Sequence, residues 1–327
     1  MTVIDTTSHQ EVSIATTVAN TLTAATKSLS PTLFYDEAGS ELFEQITLLP
    51  EYYITRTERA ILHSHAREIM KVASGGQQLE LIELGAGTAK KTGLLLAALA
   101  EWQDSIVYRP IDVSTAALAA GQRSLATTLP QISCQPQIAD YTKEPLYIEP
   151  RYGQRILVVY LGSSIGNFTP ENATNVLSSI RGQLAPRDQL LIGVDLLKDE
   201  RLVVPAYSDS QGITAQFNLN VLKRLNRELG ANFDLPQFEH QVRWNSADSR
   251  IEMHLKSVVE QDVHFPRNGE LPAYTLKFAA EETIHTESSY KYSDSCISEL
   301  LESAGFSRVA DWQDPDALFS VLLAEVQ

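Results

Sequence analysis

A glutamate, two glycines and two aspartates are spaced along the chain in a way that suits one kind of ligand. In LELIELGAGTAKKT, residues 79–92, an apolar run ends on Glu83 and Leu84 and passes into a turn at Gly85 and Gly87. Asp112 follows some two dozen residues later, and Asp140-Tyr141 closes the next repeat of the pattern. The glycines let the backbone approach a ligand closely, and a helix start behind them favours polar or anionic groups. A carboxylate at the position of Asp112 is placed to hold ribose hydroxyls. An aspartate followed by an aromatic suits adenine, with Asp140 toward the exocyclic amine and the Tyr141 ring stacked on the base. A dinucleotide fingerprint would want a third glycine where Lys90 stands. Glu83 suits a cation better than a pyrophosphate. The set points to S-adenosylmethionine (SAM), whose sulfonium and amino group are positive and whose ribose offers hydroxyls. The other reading of Asp112 and Asp140 is that each caps the helix after it. Their recurrence at successive strand ends favours the ligand.

These residues need a scaffold that brings strand ends together, and the periodicity supplies one. Apolar runs at 79–84, 105–111, 131–138, 155–161 and 189–196 read as strands. Helical patterns run from the glycine turn to about Trp102 and over 114–129 and 170–184. Strands separated by helices imply right-handed crossovers and a parallel sheet covered on both faces. Ligands then sit beyond the carboxyl ends of the strands, which also brings 162–167 and Asp195 into consideration. A helix at 296–304 and strands at 306–312 and 318–326, the last returning antiparallel, close the sheet as SAM-dependent methyltransferase sheets usually close. From Lys198 to about Glu287 the alternation stops. A helix at 213–229, a strand-period run at 250–259 and breaks at Pro266 and Pro272 mark an insertion, read as a substrate lid.

Ahead of the sheet, a polar start of about ten residues is expected to fray. Helical spacing follows at 12–26, around Leu42, Phe43 and Ile46, and at 55–72, where Thr55 and Glu58 have capping-box spacing. Tyr52 and Tyr53 fall in the loop between the last two, where adjacent tyrosines usually serve as surface filler. With 327 residues, 43% hydrophobic and 20% charged, the chain fits a soluble globular protein. A net charge of -15 argues against nucleic acid and anionic membranes as partners. Cys134 and Cys296 have no metal-type spacing, and none of the histidines shows the spacing of a zinc or iron site. No leader-like or membrane-length apolar run is present. The expectation is a cytoplasmic, monomeric protein without metal.

Several stretches carry a resemblance: FYDEAGSELFEQIT, LPEYYITRTE, ELGAGTAKKT, VVYLGSSIGNFTP, DLLKD, AYSDSQGITAQFNLNVL, NRELGANFDL, FEHQVRWN, RIEMHLKS and TESSYKY. Spread from about residue 33 to the end, they resemble the histidine-specific SAM-dependent Nα-methyltransferases of ergothioneine biosynthesis. The resemblance implies an α/β fold: a Rossmann-like methyltransferase sheet with a helical N-terminal segment, 1–60, and an inserted α+β substrate domain, 198–287. The SAM-binding domain would take 61–197 and 288–327. By motif, Gly85, Gly87, Lys91, Asp112, Asp140 and Tyr141 would hold SAM, with Tyr141 standing where phenylalanine is usual. Tyr52, Asn167 and Tyr207 match residues that grip the amino and carboxylate groups of L-histidine. Tyr35 matches a tyrosine near the amine, so Tyr35, Tyr52 and Asn167 would form the catalytic set. Glu287 and Ser289 match the pair that reads the imidazole, Met253 a side chain packing beside it, and Phe43 and Gly162 the pocket wall.

The implied product is histidine betaine, made by three methyl transfers to the α-amino group. Two other functions stay open on the sequence: N-methylation of another aromatic, tryptophan-like amino acid or amine, and SAM binding without catalysis. The intact set Tyr52, Asn167 and Tyr207 argues against the latter. Glu287 also has a plainer reading, as a partner of Lys291 at helical or turn spacing.

Overall fold

The computed structural model describes residues 14–142, 148 and 153–327, so the polar first ten residues lie outside the described ones. The chain forms two compact units, a larger one of residues 35–214, 242–252 and 288–327 and a smaller one of 1–34, 215–241 and 253–287. This division differs from boundaries at 60 and 197. Residues 35–60 and 198–214 go with the sheet because buried polar groups tie them to its strand ends.

Elements are numbered along the chain. In the larger unit, β1 (Gln78–Leu84), β2 (Ile106–Asp112), β3 (Ile132–Cys134), β4 (Gln137–Ile138), β5 (Gln154–Tyr160), β6 (Gln189–Asp195), β12 (Phe306–Gln313) and β13 (Phe319–Val326) form an eight-stranded sheet. The order is β12-β13-β6-β5-β1-β2-β3, with β4 also on β2. β1 is parallel to β2 and β5, and β5 to β6, whereas β13 is antiparallel to both β6 and β12. Helices α4 (Thr92–Leu99), α5 (Thr115–Thr128) and α6 (Pro170–Arg181) make the crossovers, and α9 (Asp294–Ser303) leads into β12. All of β6 and all but the first residue of β5 are buried, as expected of parallel strands covered on both faces. The alternation read from the sequence and its antiparallel ending are both in place.

The differences have local causes. The single strand expected at 131–138 is split into β3 and β4, because Pro136 between them has no N–H for the ladder. Ahead of the sheet stand α2 (Glu37–Ile46), capped by Asp36 on the Gly39 N–H, and α3 (Tyr53–Ser74). Since α3 starts at Tyr53, Thr55 lies inside the helix and caps nothing. Tyr52 and Tyr53 are buried, not surface filler. Helix α7 (Glu200–Tyr207) and strand β11 (Thr283–Tyr290), where the sequence shows no alternation, are regular elements.

The smaller unit contains α1 (Ile14–Leu22), most of α8 (Ile213–Leu229) and an antiparallel hairpin of β9 (Gln261–Phe265) and β10 (Tyr274–Phe278). Helix α1 stops short of the 12–26 span. The hairpin lies across the Pro266 and Pro272 breaks, which flank its turn and do not end the sheet structure. Phe233 packs edge-on against Phe238 and Phe265, and Phe34 stacks on Phe217 at 4.5 Å. The chain passes between the units within β7 (Phe238–Asn245), β8 (Arg250–Ser257) and β11, which pair in the order β11-β8-β7.

Glu83 corrects one expectation. Glu83 is 3% exposed, and its carboxyl accepts from the Tyr108 hydroxyl and, at 2.5 Å, from Thr92 Oγ1. It ties β1 to β2 and to the start of α4 and is not open to a cationic ligand. Burial is the leading cause that lifts its pKa from 4.5 to about 7, against the lowering effect of the Thr92 and Tyr108 bonds. A raised folded pKa means that folding takes up a proton. Its contribution to stability is therefore complete below pH 4.5 and lost as pH rises through about 7. Glu83→Gln should remove this dependence: between pH 5 and 8 the wild type should lose about 2.5 kcal/mol relative to the variant, read from urea unfolding at a series of pH values. Parallel pH profiles for the two proteins would show that Glu83 does not titrate in that window.

Candidate active site

At the carboxyl end of β1 the chain turns through Gly85 (φ 64°) and Gly87 (φ 53°). The Gly87 N–H donates to Asp112 Oδ2 at 2.8 Å, and the Ser114 N–H donates to Asp112 Oδ1 at 2.8 Å. Asp112 thus joins the glycine turn to the start of α5, while Ser114 itself caps that helix. Each carboxylate oxygen retains acceptor capacity beyond these bonds. Asp140 accepts from the N–H and hydroxyl of Thr142. Tyr141 sets its ring edge-on to Tyr160 at 5.6 Å with the hydroxyls 3.3 Å apart, and burial pushes its phenol up to about 12. A Cβ added at Gly85 would lie 3.7 Å from the Tyr141 hydroxyl. The glycine turn, Asp112 and Tyr141 are therefore neighbours at one sheet edge. A turn opened by two glycines, an anchored carboxylate and an aromatic face suit the ribose and adenine of SAM.

The end of β5 is held from below by a residue whose sequence spacing suggests a helix cap. Glu58, fully buried on α3, accepts the Gly162 N–H at 2.8 and 3.1 Å and pairs with Lys91 Nζ at 2.5 Å. Its Oε1 lies where a Cβ on Gly193 would come within 2.0 Å, so β6 needs a glycine there. Gly162 has φ 81° and Ser163 φ 56°, and the turn leads into the short helical turn ending at Asn167. Ser163 is a non-glycine residue at positive φ, a conformation of about 1–3 kcal/mol cost; its Oγ accepts the Asp195 N–H at 2.9 Å. Asn167 is half-buried, and its side-chain amide has no hydrogen-bond partner among the described residues.

An aromatic file runs through the same unit. Tyr35 meets Phe43 edge-on at 5.8 Å, Phe43 meets Tyr52 at 6.3 Å, and Tyr52 meets Tyr207 at 6.4 Å. The Tyr207 hydroxyl donates to Ser289 Oγ at 2.8 Å. Lys291 Nζ donates to both, at 2.9 and 2.8 Å, and pairs with Asp195 Oδ2 at 2.8 Å. Asp195 also accepts from the Tyr53 hydroxyl and pairs with Lys198 at 2.5 Å. Burial lowers the Lys198 pKa and raises that of Tyr53 well above a free phenol. Tyr292 N–H bonds the Asp195 carbonyl and Leu197 N–H the Tyr292 carbonyl, which is how Lys291 is carried to the end of β6. Lys291 therefore serves Asp195 and the hydroxyl pair, and the plainer reading of Glu287 as its turn partner is corrected.

The larger unit brings together Tyr35, Phe43, Tyr52, Tyr207 and Ser289, and at neighbouring strand ends Gly85, Gly87, Lys91, Asp112, Asp140, Tyr141, Gly162 and Asn167. Met253 and Glu287 belong to the smaller unit, where both are buried and the Thr286 hydroxyl donates to the Met253 carbonyl. Sequence reasoning misses the roles of Glu58, Tyr53, Lys198 and Lys291. The available signals are a lone acid at i+4 between Ile54 and Leu62, and the period-two polar series Glu287, Ser289, Lys291.

Removing one partner of a buried ion pair leaves the other uncompensated. Glu58→Ala should strip both the Gly162 turn and Lys91 of their acceptor and destabilise the fold by roughly 3–5 kcal/mol, read as a drop in the midpoint of chemical unfolding. An unchanged midpoint would show that the turn stands without it.

The chain matches the family described as "Histidine-specific methyltransferase, SAM-dependent" over residues 14–326. It is 43% identical to histidine N-alpha-methyltransferase of Mycolicibacterium smegmatis over 93% of this chain and 92% of that one. It is also 43% identical to the Mycobacterium tuberculosis protein of the same name, over 91% and 90%. Ergothioneine biosynthesis protein 1 of Neurospora crassa is 32% identical over 88% of this chain, which corresponds to 32% of that longer protein. With a SAM-shaped strand end, an aromatic file and a match along almost its whole length, this chain belongs to the histidine-specific, SAM-dependent methyltransferase family.

Proposed function

We propose that this protein transfers methyl groups from SAM to the α-amino group of L-histidine, three in turn, to give the histidine betaine of ergothioneine biosynthesis. The observation that carries the reading is the file Tyr35–Phe43–Tyr52–Tyr207 ending on the hydroxyl pair of Tyr207 and Ser289. In a family member of this kind, it joins Tyr35 and Tyr52, assigned to the amine, and Tyr207, assigned to the carboxylate, to Ser289, one of the two residues assigned to the ring. A cytoplasmic monomer that uses no metal remains within the proposal.

In this reading Gly85, Gly87 and Asp112 hold the ribose, Asp140 and Tyr141 the adenine, and Lys91 the rim of the cofactor site. SAM supplies a methyl group on a positive sulfur. The protein's task is then alignment and exclusion of water, since displacement at the methyl carbon is in line. The amine must be neutral to attack, and it can lose its proton to bulk water before the site closes. The Asn167 amide and the phenols of Tyr35 and Tyr52 orient the amine lone pair without adding charge. Tyr207 faces the carboxylate, and Phe43 and Gly162 form the wall. As methyl groups accumulate the nitrogen gains bulk and a fixed charge, which aromatic faces tolerate through cation–π contact. Glu287 and Ser289, two apart in β11 and so on one face of that strand, are assigned the imidazole, with Met253 packed beside it.

Two measurements test this assignment. Asp112→Ala should weaken SAM binding by about 1.5–3 kcal/mol in titration calorimetry on a folded variant; unchanged affinity would remove Asp112 from the cofactor site. Mass detection of product from a panel of amino acids tests the substrate. Histidine should be preferred over tryptophan or phenylalanine by at least about 10²-fold in kcat/KM, because polar groups built to meet the imidazole are left unpaired by an indole or phenyl ring. Glu287→Ala should collapse that ratio through loss of histidine activity. Equal methylation of tryptophan and histidine by the wild type would hand the function to the wider class of aromatic amino acids.

A further inference from the structure

We propose that Lys291 is a positioning residue for the amino-acid substrate: its ammonium fixes the hydrogen-bond polarity of the Tyr207–Ser289 pair so that the pair offers the substrate a proton. The inference rests on the function proposed above and assigns a role to a residue outside that clamp.

An ammonium has three hydrogens and no acceptor. Lys291 Nζ has three partners, Asp195 Oδ2 at 2.8 Å, the Tyr207 hydroxyl at 2.9 Å and Ser289 Oγ at 2.8 Å. All three hydrogens are spent, and both hydroxyls are forced to accept. The hydroxyls lie 2.8 Å apart, so one donates to the other. Of their two protons one is consumed and one is left to point elsewhere. With Tyr207 donating, Ser289 Oγ accepts from both neighbours, its lone pairs are filled, and its own hydrogen is the free one. Without the lysine, the pair could turn a lone pair to the ligand as readily as a proton. With it, the ligand atom at this end of the aromatic file must be an acceptor, such as a carboxylate oxygen or the unprotonated ring nitrogen of a neutral imidazole.

The surroundings hold the lysine in that task. Its side chain is fully buried, its charge faces Asp195, and it sits 4.8 Å from the centre of the Tyr207 ring. Asp195 keeps Lys198 and the Tyr53 hydroxyl as partners if Lys291 is replaced, so the carboxylate is not orphaned in a variant.

Lys291→Met keeps length and volume and removes the donors; Lys291→Gln keeps two amide hydrogens and covers the case in which the methionine variant does not fold. Histidine affinity and SAM affinity are measured separately by calorimetry, together with KM. The expected result is a loss of histidine affinity of about tenfold or more with SAM affinity within about twofold of wild type. Placed on a Tyr207→Phe, Ser289→Ala background, the Lys291 change should add less than about threefold, since its effect acts through those hydroxyls. Histidine affinity within about twofold of wild type in a folded Lys291 variant overturns the inference. So does an equal loss for SAM, or an undiminished loss on the double-variant background. A wild type that leaves histidine unmethylated refutes the parent reading instead, and the same comparison then runs on the amino acid that it does methylate.

Discussion

Asp195 is the residue on which the rest of the larger unit depends. It stands at the carboxyl end of β6 with no solvent exposure, where an unpaired carboxylate would carry a desolvation cost of several kcal/mol. Three segments meet that demand: Tyr53 from the first residue of α3, Lys198 from the stretch after β6, and Lys291 from the stretch after β11. The need to satisfy one buried anion thus draws helix α3, the end of β6 and, through Lys291, the hydroxyls of Tyr207 and Ser289 to one point. Replacing such a cluster by apolar groups would not by itself weaken the fold. Its value lies in fixing where the hydroxyls of Tyr207 and Ser289 stand.

Glu58 has the equivalent role at the neighbouring strand. A carboxylate on the buried face of α3 can be tolerated because it accepts a backbone N–H twice and a lysine once. In return it pins the turn after β5, whose positive φ at Gly162 and Ser163 sends the chain toward Asn167. The two carboxylates link α3 and the sheet in opposite directions, Glu58 reaching from α3 to the turn after β5 and Asp195 from β6 to α3. Helix α3 is thereby locked across the strand ends at which the ligands are assigned.

Much of this is legible in the sequence. The alternation, the glycine turn and the antiparallel ending follow from periodicity, because strands covered on both faces must be apolar throughout, and β5 and β6 are. Asp112 is legible because its distance from the glycine turn is set by one helix and one strand. Glu83 misleads because an acid at the end of a buried strand looks the same in sequence whether it meets a ligand or, in this fold, a tyrosine and a threonine from 25 and 9 residues away. Lys291 misleads for a related reason: its partner Tyr207 lies 84 residues upstream, and Asp195 lies further still. Local spacing carries no record of such pairs. Tyr52 and Tyr53 read as surface because the fold that buries them is assembled only in three dimensions.

The saturation of these acids bears on the chemistry of the proposed reaction. Glu58 and Asp195 spend their acceptor capacity on named donors, whereas Glu83 is enclosed by Thr92 and Tyr108 and held toward its neutral form by burial. All three are buried and bonded to the scaffold, so none of them is presented to a ligand. What remains is the phenols of the aromatic file and the Asn167 amide, groups that orient a lone pair but do not take a proton near neutral pH. On the proposed reading the amine must therefore arrive neutral or lose its proton to solvent before closure. The site's contribution then lies in orientation and in an aromatic wall able to face a growing cation. An anionic base beside the amine would hold the protonated, unreactive ammonium most tightly, and it would pair with the trimethylated product as well. A clamp of hydroxyls and amides avoids both, which gives a physical reason for Glu58, Glu83 and Asp195 to be turned inward, toward the scaffold.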